Sequence, residues 1–251
     1  MIRIGTAGWS LPAAVRGSFP SQGSVLQRYA AVFDAVEINS SFYRPHQPQT
    51  YARWAAATPK TFRFSLKAPR SVTHEARLID CQDRLAAFRP EAAALGDRLG
   101  PLLVQLPPSL AFDAALAERF FADLRALWPE AAACEPRHAS WFEPDADALL
   151  TAFRIARVAA DPARHPVAAQ PGGWPGLAYW RLHGSPRMYF SPYGPDRLAD
   201  LARSLESSAA AETWCMFDNT TSGAAAADAL MLRALLSDAR VPTSSHLYPT
   251  P

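Results

Sequence analysis

In the run FDAVEINSSFY, residues 33–43, a carboxylate and an amide, Glu37 and Asn39, stand two positions apart at the end of an apolar stretch, with Tyr43 just beyond. Residues two apart in an extended chain share a face, so both side chains would leave the same side of a strand. The pattern recurs. Trp9 follows IRIGTAG; Lys67 ends FRFSLK and is followed by Arg70 and His74; Gln105 lies near the end of LLVQL. Glu135 and Arg137 stand two apart in ACEPR, ahead of His138 and Trp141, and Asp161 closes a run that begins at Ala156. Arg181 and His183 stand two apart in YWRLH, ahead of Tyr189 and Tyr193, and Asp218 and Asn219 end WCMFDN.

These residue types suggest a chemistry. Arginine offers a planar fork for phosphate or carboxylate, and Lys67 adds a compact positive charge. Glu37, Glu135, His74 and His183 are the candidates for moving protons. Trp9, Tyr43, Trp141, Tyr189 and Tyr193 offer flat faces to a sugar or base. Glu37, Glu135, Asp161, His183 and Asp218 would also suit a divalent cation. No HxH, HExxH or DxDxDG spacing supports one, and the neighbouring cations oppose it; no cofactor is expected, with a divalent metal kept as an alternative. GxGxxG, GxxxxGK[ST] and GxSxG are absent, so a dinucleotide, a P-loop nucleotide and a serine hydrolase are unsupported.

What would bring these positions together is an alternation of strands and helices. β-type runs occupy 2–7, 35–39, 62–67, 102–106, 132–137, 156–161, 178–183 and 213–219, eight in all. Helical spacing lies between most of them, with Ser24 and Asp113 as N-caps and a disturbance expected at Pro90. The Pro- and Gly-rich stretch 162–177 is unsuited to a helix. Strands alternating with helices imply a parallel sheet with right-handed crossovers. Strands covered by helices on both faces read apolar throughout, whereas here one face carries charge. Arg63, Ser65 and Lys67 share a face, as do Tyr179, Arg181 and His183, Glu135 and Arg137, and Arg157 and Asp161. A closed barrel with a polar interior near its mouth accounts for this. The expectation is one α/β domain over 1–251, a TIM-type (β/α)8 barrel with an irregular Pro/Gly-rich connection in place of the helix after strand 6, and 237–251 as a C-terminal tail. Barrel active sites sit at the strand C-termini. Glu37 and Glu135 close together would raise the pKa of one of them, giving an acid and a base.

Composition sets outer limits. The chain has 251 residues, 49% hydrophobic and 19% charged, with a formal charge of +2. That balance suits a soluble globular domain and gives no case for nucleic acid by itself. Three separated cysteines, Cys81, Cys134 and Cys215, read as reduced thiols of a cytoplasmic protein. No signal peptide and no long apolar run is visible, so no membrane is expected. Oligomeric state is left open.

The segments IGTAGWS, FDAVEINSSFYR, FRFSLKAPRSVTHEARL, LGPLLVQLPPS, EPRHASW, YWRLHG and MFDNTTSGAAAADAL, in this order, resemble the domain-of-unknown-function 72 family, the YecE-like proteins, over nearly the whole chain. Pro136 departs from the aromatic or aliphatic residue expected before the Arg-His pair. The resemblance implies a TIM-barrel-type fold and no defined activity. Its motif residues fall here on Trp9, Glu37, Asn39, Tyr43, Lys67, Arg70, His74, Gln105, Glu135, Arg137, His138, Trp141, Arg181, His183, Gly184, Asp218 and Asn219. The function expected is an enzyme acting on a small anionic, phosphorylated or sugar-containing molecule by acid–base chemistry. The alternatives are a nucleic-acid processing protein, by analogy with endonuclease IV-like barrels, and a non-catalytic ligand-binding protein.

Overall fold

A computed structural model describes residues 1–238. The strands are β1 (Ile2–Thr6), β2 (Ala35–Ile38), β3 (Arg63–Lys67), β4 (Leu99–Gln105), β5 (Ala132–Glu135), β6 (Ile155–Arg157), β7 (Ala159–Asp161), β8 (Gly172–Gly173), β9 (Leu177–Leu182) and β10 (Glu212–Phe217). The helices are α1 (Val25–Ala30), α2 (Pro48–Ala56), α3 (Gln82–Ala93), α4 (Ala114–Leu127), α5 (Pro144–Ala152), α6 (Pro195–Glu206) and α7 (Ala224–Asp238). Of the tail expected at 237–251, the first two residues belong to α7, and 239–251 lie outside the described residues.

Local chemistry explains most boundaries. Ser24 and Gln27 form a reciprocal capping box at α1, and the Asp113 carboxylate accepts from Leu116 N at the start of α4. Helices α2, α5 and α6 each begin on proline, whose missing N–H is harmless in a first turn. α3 continues past Pro90 to Ala93, so the disturbance expected there does not end it. Between β7 and β9 there is no α-helix, only a 3-10 turn at Pro166–Ala169 and the short β8.

The ladders form two sheets, in the orders β1-β10-β9-β7 and β2-β3-β4-β5-β6-β8. All pairings are parallel except β6 with β8. The closed eight-stranded barrel expected from the sequence is therefore not what the hydrogen bonds describe. One seam lies between β1 and β2, where a single bridge joins Ala7 to Glu37. The cause is a side chain. The Tyr29 hydroxyl of α1 takes the backbone groups that a ladder would have used, accepting from Thr6 N at 2.8 Å and donating to Ala35 O at 3.1 Å, while Asp34 accepts from Ile4 N at 3.1 Å. The strands approach so closely that a Cβ on Gly5 would lie 2.1 Å from Ala35 O. The second seam is the sixth expected strand, which breaks at Val158 into β6, paired with β5, and β7, paired with β9.

Two apolar clusters follow. The larger lies between strands and helices, with Leu66, Cys134, Leu182 and Phe217 pointing outward into it. The smaller, including Ala35, Leu103, Ala133, Ala156, Val158, Tyr179, Trp214 and Met216, draws on both sheets and fills the space they face. Its members lie two residues before the chemistry: Ala35 precedes Glu37, Leu103 precedes Gln105, Ala133 precedes Glu135, and Tyr179 precedes Arg181.

Tyr29→Phe should leave the Thr6 N–H and Ala35 C=O buried without partners. Since each such group costs roughly 1–3 kcal/mol, denaturant unfolding should show a loss of about 2–4 kcal/mol.

Candidate functional site

Above the smaller cluster, the inward side chains at the strand C-termini meet at one guanidinium. Arg181, fully buried, donates Nε and Nη2 to the two oxygens of Glu37 at 3.0 and 2.7 Å, Nη1 to Glu135 Oε2 at 2.7 Å, and Nη2 also to Asp218 Oδ2 at 2.9 Å. Beneath it, the Tyr179 hydroxyl lies 3.0 Å from Glu37 Oε2 and 2.8 Å from Ser65 Oγ. Beside it, His183 places Nε2 2.8 Å from Glu135 Oε1 and Nδ1 3.0 Å from Asp218 Oδ2, so a proton on either nitrogen meets a carboxylate. Arg137 Nη2 closes the group, 2.6 Å from Glu135 Oε1 and 3.0 Å from His183 Nε2. The Tyr189 ring stands over His183, edge to face at 5.7 Å between centroids.

Glu135 does not serve as an acid here. Burial pushes the Glu135 carboxyl up, but Arg137, Arg181 and His183 outweigh it and hold it well below the usual range. The same contest, settled by Arg181 and His183, lowers Asp218. Burial works against the charge on Arg181, and Glu37, Glu135 and Asp218 overcome it, keeping the guanidinium charged. Glu135 is therefore not the raised member of the expected pair, because the Arg181 guanidinium sits between it and Glu37.

Lys67 has a different environment. Its side chain is 6% exposed, and Nζ lies 4.2 Å from the centroid of the Phe42 ring. Its ammonium forms no ion pair or hydrogen bond with any of the described residues. Burial first, then the neighbouring Arg181, lower its pKa to about 8, against the opposing pull of Glu37, Asp218 and Glu135. His74 meets the same Phe42 ring at 5.0 Å, and burial, Lys67 and Arg70 lower its pKa. Arg137 Nε is likewise buried without an acceptor. Gln105, half-buried, stands beside Glu135 in the β4–β5 register and so faces the same space.

Other residues singled out from the sequence stand apart. The sequence pattern puts Asp161 on the inner face with Arg157. The β7–β9 register instead sets Ala160 beside Arg181 and Asp161 beside the outward Leu182. Asp161 pairs with Arg197 of α6, and Arg157 with Asp147 of α5. The Tyr193 hydroxyl braces the back of the loop, donating to Asp161 O and accepting from Gly184 N. Trp141 is buried with its indole donating to Leu110 O, and His138 caps the turn at Ala139–Phe142. Asn219 Nδ2 ties to Ser191 O and Asp228. Arg70 is exposed and paired with Glu75, Tyr43 is 67% exposed against Phe42, and Trp9 packs on Trp54 and Phe64. Asn39 lines a shallow cleft with Trp9, its Oδ1 buried and unpartnered.

Tyr179, Ser65 and Phe42 belong to the cluster but are not among the sequence candidates. The first two are legible as inward by the period of two; Phe42, in a loop, carries no such signal. Among the described residues no group of three or more His, Cys, Asp and Glu side chains is arranged to hold a metal ion, and no helix is long and apolar enough to cross a membrane. All three cysteines are free and buried.

The class that emerges is a parallel α/β protein with a buried arginine–carboxylate–histidine cluster at its strand C-termini. The chain belongs to the family described as protein of unknown function DUF72, whose model matches residues 3–250. It is 36% identical over 107 residues to UPF0759 protein YecE of Escherichia coli K12, a match covering 43% of this chain and 38% of that protein. The matched segment thus spans well under two thirds of that relative. A DUF72 family protein from Enterococcus faecalis V583 superposes with a TM-score of 0.81 at 22% identity, covering 94% of this chain and 96% of the other. One from Thermotoga maritima MSB8 gives 0.78 at 27% identity, covering 94% and 99%.

Two outcomes are expected. Arg181→Met leaves Glu37, Glu135 and Asp218 without their shared cation and should cost about 3–5 kcal/mol in denaturant unfolding. Lys67 acts oppositely. Between pH 8 and 10.5, its folded and ordinary values, the unfolded chain holds a proton that the native chain has released, so stability rises with pH across that window. Lys67→Met should abolish that rise and add up to about 3 kcal/mol at pH 7, at 1.36 kcal/mol per pH unit, as read by urea titration at each pH.

Proposed function

We propose that the protein is an enzyme that binds a small anionic molecule, phosphate- or carboxylate-bearing, at the C-terminal ends of its strands and moves a proton there. The observation that carries this is an imbalance of donors. Glu37, Glu135 and Asp218 are taken up by Arg181, Arg137 and His183. Arg137 Nε, by contrast, is buried with no acceptor among the described residues, and Lys67 Nζ rests on the Phe42 ring with no carboxylate paired to it among them. A buried donor is normally satisfied; an anion's oxygens would satisfy Arg137 Nε and meet the charge of Lys67. Arg137, steadied by Glu135 and His183, is the principal anchor, with Lys67 at the end of β3 a second cation of the cluster.

Among the candidates for proton transfer, Glu135 remains a carboxylate and serves to hold Arg137 and Arg181. His183 is fully buried with both ring nitrogens engaged, which makes it a link in the cluster. His74 is half-buried, with Nδ1 bonded to Thr73 Oγ1 and Nε2 making no hydrogen bond among the described residues. It is the better proton carrier, and its lowered pKa supplies a neutral imidazole near pH 7. We read the two sheets as halves of a TIM-type barrel in a single domain, interrupted at the seams described above; the site's position at the strand C-termini is in keeping with that fold. Free buried thiols suit a reducing, cytoplasmic setting.

Inorganic phosphate and oxalate at low ionic strength should raise the melting temperature of the full chain by several degrees. Arg137→Gln should lose most of that shift, while Arg119→Gln on α4 should keep it. An equal shift in Arg137→Gln and the unaltered protein would remove the anion from this site.

A further inference from the structure

The chain has 25 lysines and arginines, and only Lys60 and Lys67 are lysine. Lys60 is exposed, whereas Lys67 is buried at the end of β3 and faces the cluster. Its alkyl stem runs with the inward face of β3, and its nitrogen rests on Phe42 rather than on a carboxylate. Arginine would supply charge here with more hydrogen bonds; what it cannot supply is a nucleophilic primary amine.

We propose that Lys67 is a covalent catalyst whose amine condenses with the carbonyl carbon of an anionic aldehyde or ketone, of the oxo-acid class, held by Arg137. This deepens the anion-binding reading above and rests on it. The step balances. Lys67 Nζ, having released one proton, adds to the carbonyl carbon as the carbonyl π pair moves to oxygen; the now cationic nitrogen gives up a proton and the oxygen takes one, leaving a neutral carbinolamine. The carbinolamine then gains a second proton on that oxygen, the C–O bond breaks, and water leaves as the nitrogen lone pair forms the C=N bond. The sum is ammonium plus carbonyl giving iminium plus water, with one positive charge before and after.

Three features of the cluster suit this step. Desolvation beside the Arg181 guanidinium makes the neutral amine accessible, on the order of one molecule in ten at pH 7 for a value of about 8. The groups that act on the amine are Arg181 on β9, Glu37 beyond the middle of β2, Glu135 on β5 and Asp218 after β10, with His74 in the loop after β3 coupled to it. His74, sharing the Phe42 ring with Lys67, is placed to pass the protons. The iminium's charge replaces the ammonium's, so the balance set by the three carboxylates is kept. An iminium draws electrons from the adjacent carbon, which is the activation that isomerisation or elimination requires.

The test uses the full chain, glyoxylate as the probe and sodium cyanoborohydride as the trap, read by intact mass and peptide mapping. A single reduced adduct on Lys67, formed more than about ten-fold faster than on Lys60, missing in Lys67→Arg and slowed by inorganic phosphate at Lys67 alone, is the expected result. Equal labelling of Lys60 and Lys67, or labelling of Lys67 that phosphate leaves unchanged, would overturn it. No adduct while phosphate still raises the melting temperature would overturn the iminium and leave anion binding standing; no adduct and no phosphate effect would overturn both. Phosphate protection is measured in the unaltered protein, so the experiment stays decisive if Lys67→Arg fails to fold.

Discussion

One guanidinium organises this molecule. Arg181 reaches three carboxylates from three other strand ends, at distances of 2.7 to 3.0 Å. Removing four charges from water costs several kcal/mol for each ion, and the mutual attraction repays that only with near-complete hydrogen bonding. The fold meets that demand by stacking layers. Small and larger apolar residues, Ala35, Ala133, Tyr179 and Met216, fill the space below, and the ion cluster sits on them two residues further along each strand. Glu37 and Arg181 are 144 residues apart in the chain, so the cluster exists only when both sheets have come together.

That arrangement also assigns separate roles to the charges. Glu135 and Asp218 are committed to Arg181 and His183 and are held ionised. The groups left with unmet capacity are Lys67, Arg137 and His74, all nearer the surface. Charges fixed in the lower layer set the field in which those upper groups work, and a preorganised field of this kind is the usual source of electrostatic stabilisation in enzymes. Reactivity is thus left to Lys67 and His74, which hold no ion pair among the described residues, and to the unpartnered Nε of Arg137.

Much of this is readable from the chain because strands alternate with a period of two. Glu37, Lys67, Glu135, Arg181, His183 and Asp218 can be placed on one surface from spacing alone. The same rule misleads at Asp161, where polarity suggests the inner face. Arg157 and Asp161 are polar because each meets a charged partner on a helix, Asp147 and Arg197; the phase set by Ala156 and Val158 is the better guide. Ring closure is not legible either. It turns on the Tyr29 hydroxyl meeting two backbone groups of separate strands, a contact that no periodicity encodes. The aromatic candidates fail for a related reason: Trp141 and Tyr193 have polar tips that find partners behind the site, as amphipathic rings in a core generally do.

The seam between β1 and β2 has a mechanical meaning. A run of ladder bonds resists separation along its whole length, but this boundary is fastened by a phenol oxygen, an aspartate and one bridge. Opening there breaks few hydrogen bonds, so it is the low-energy route for local unfolding. The scaffold would part like a clamshell along that line, with the chain at Val158 as its spine. Trp9 would swing away from Asn39, and the Arg181–Glu37 pair, which joins the two sheets beside that bridge, is the fastening that resists the opening.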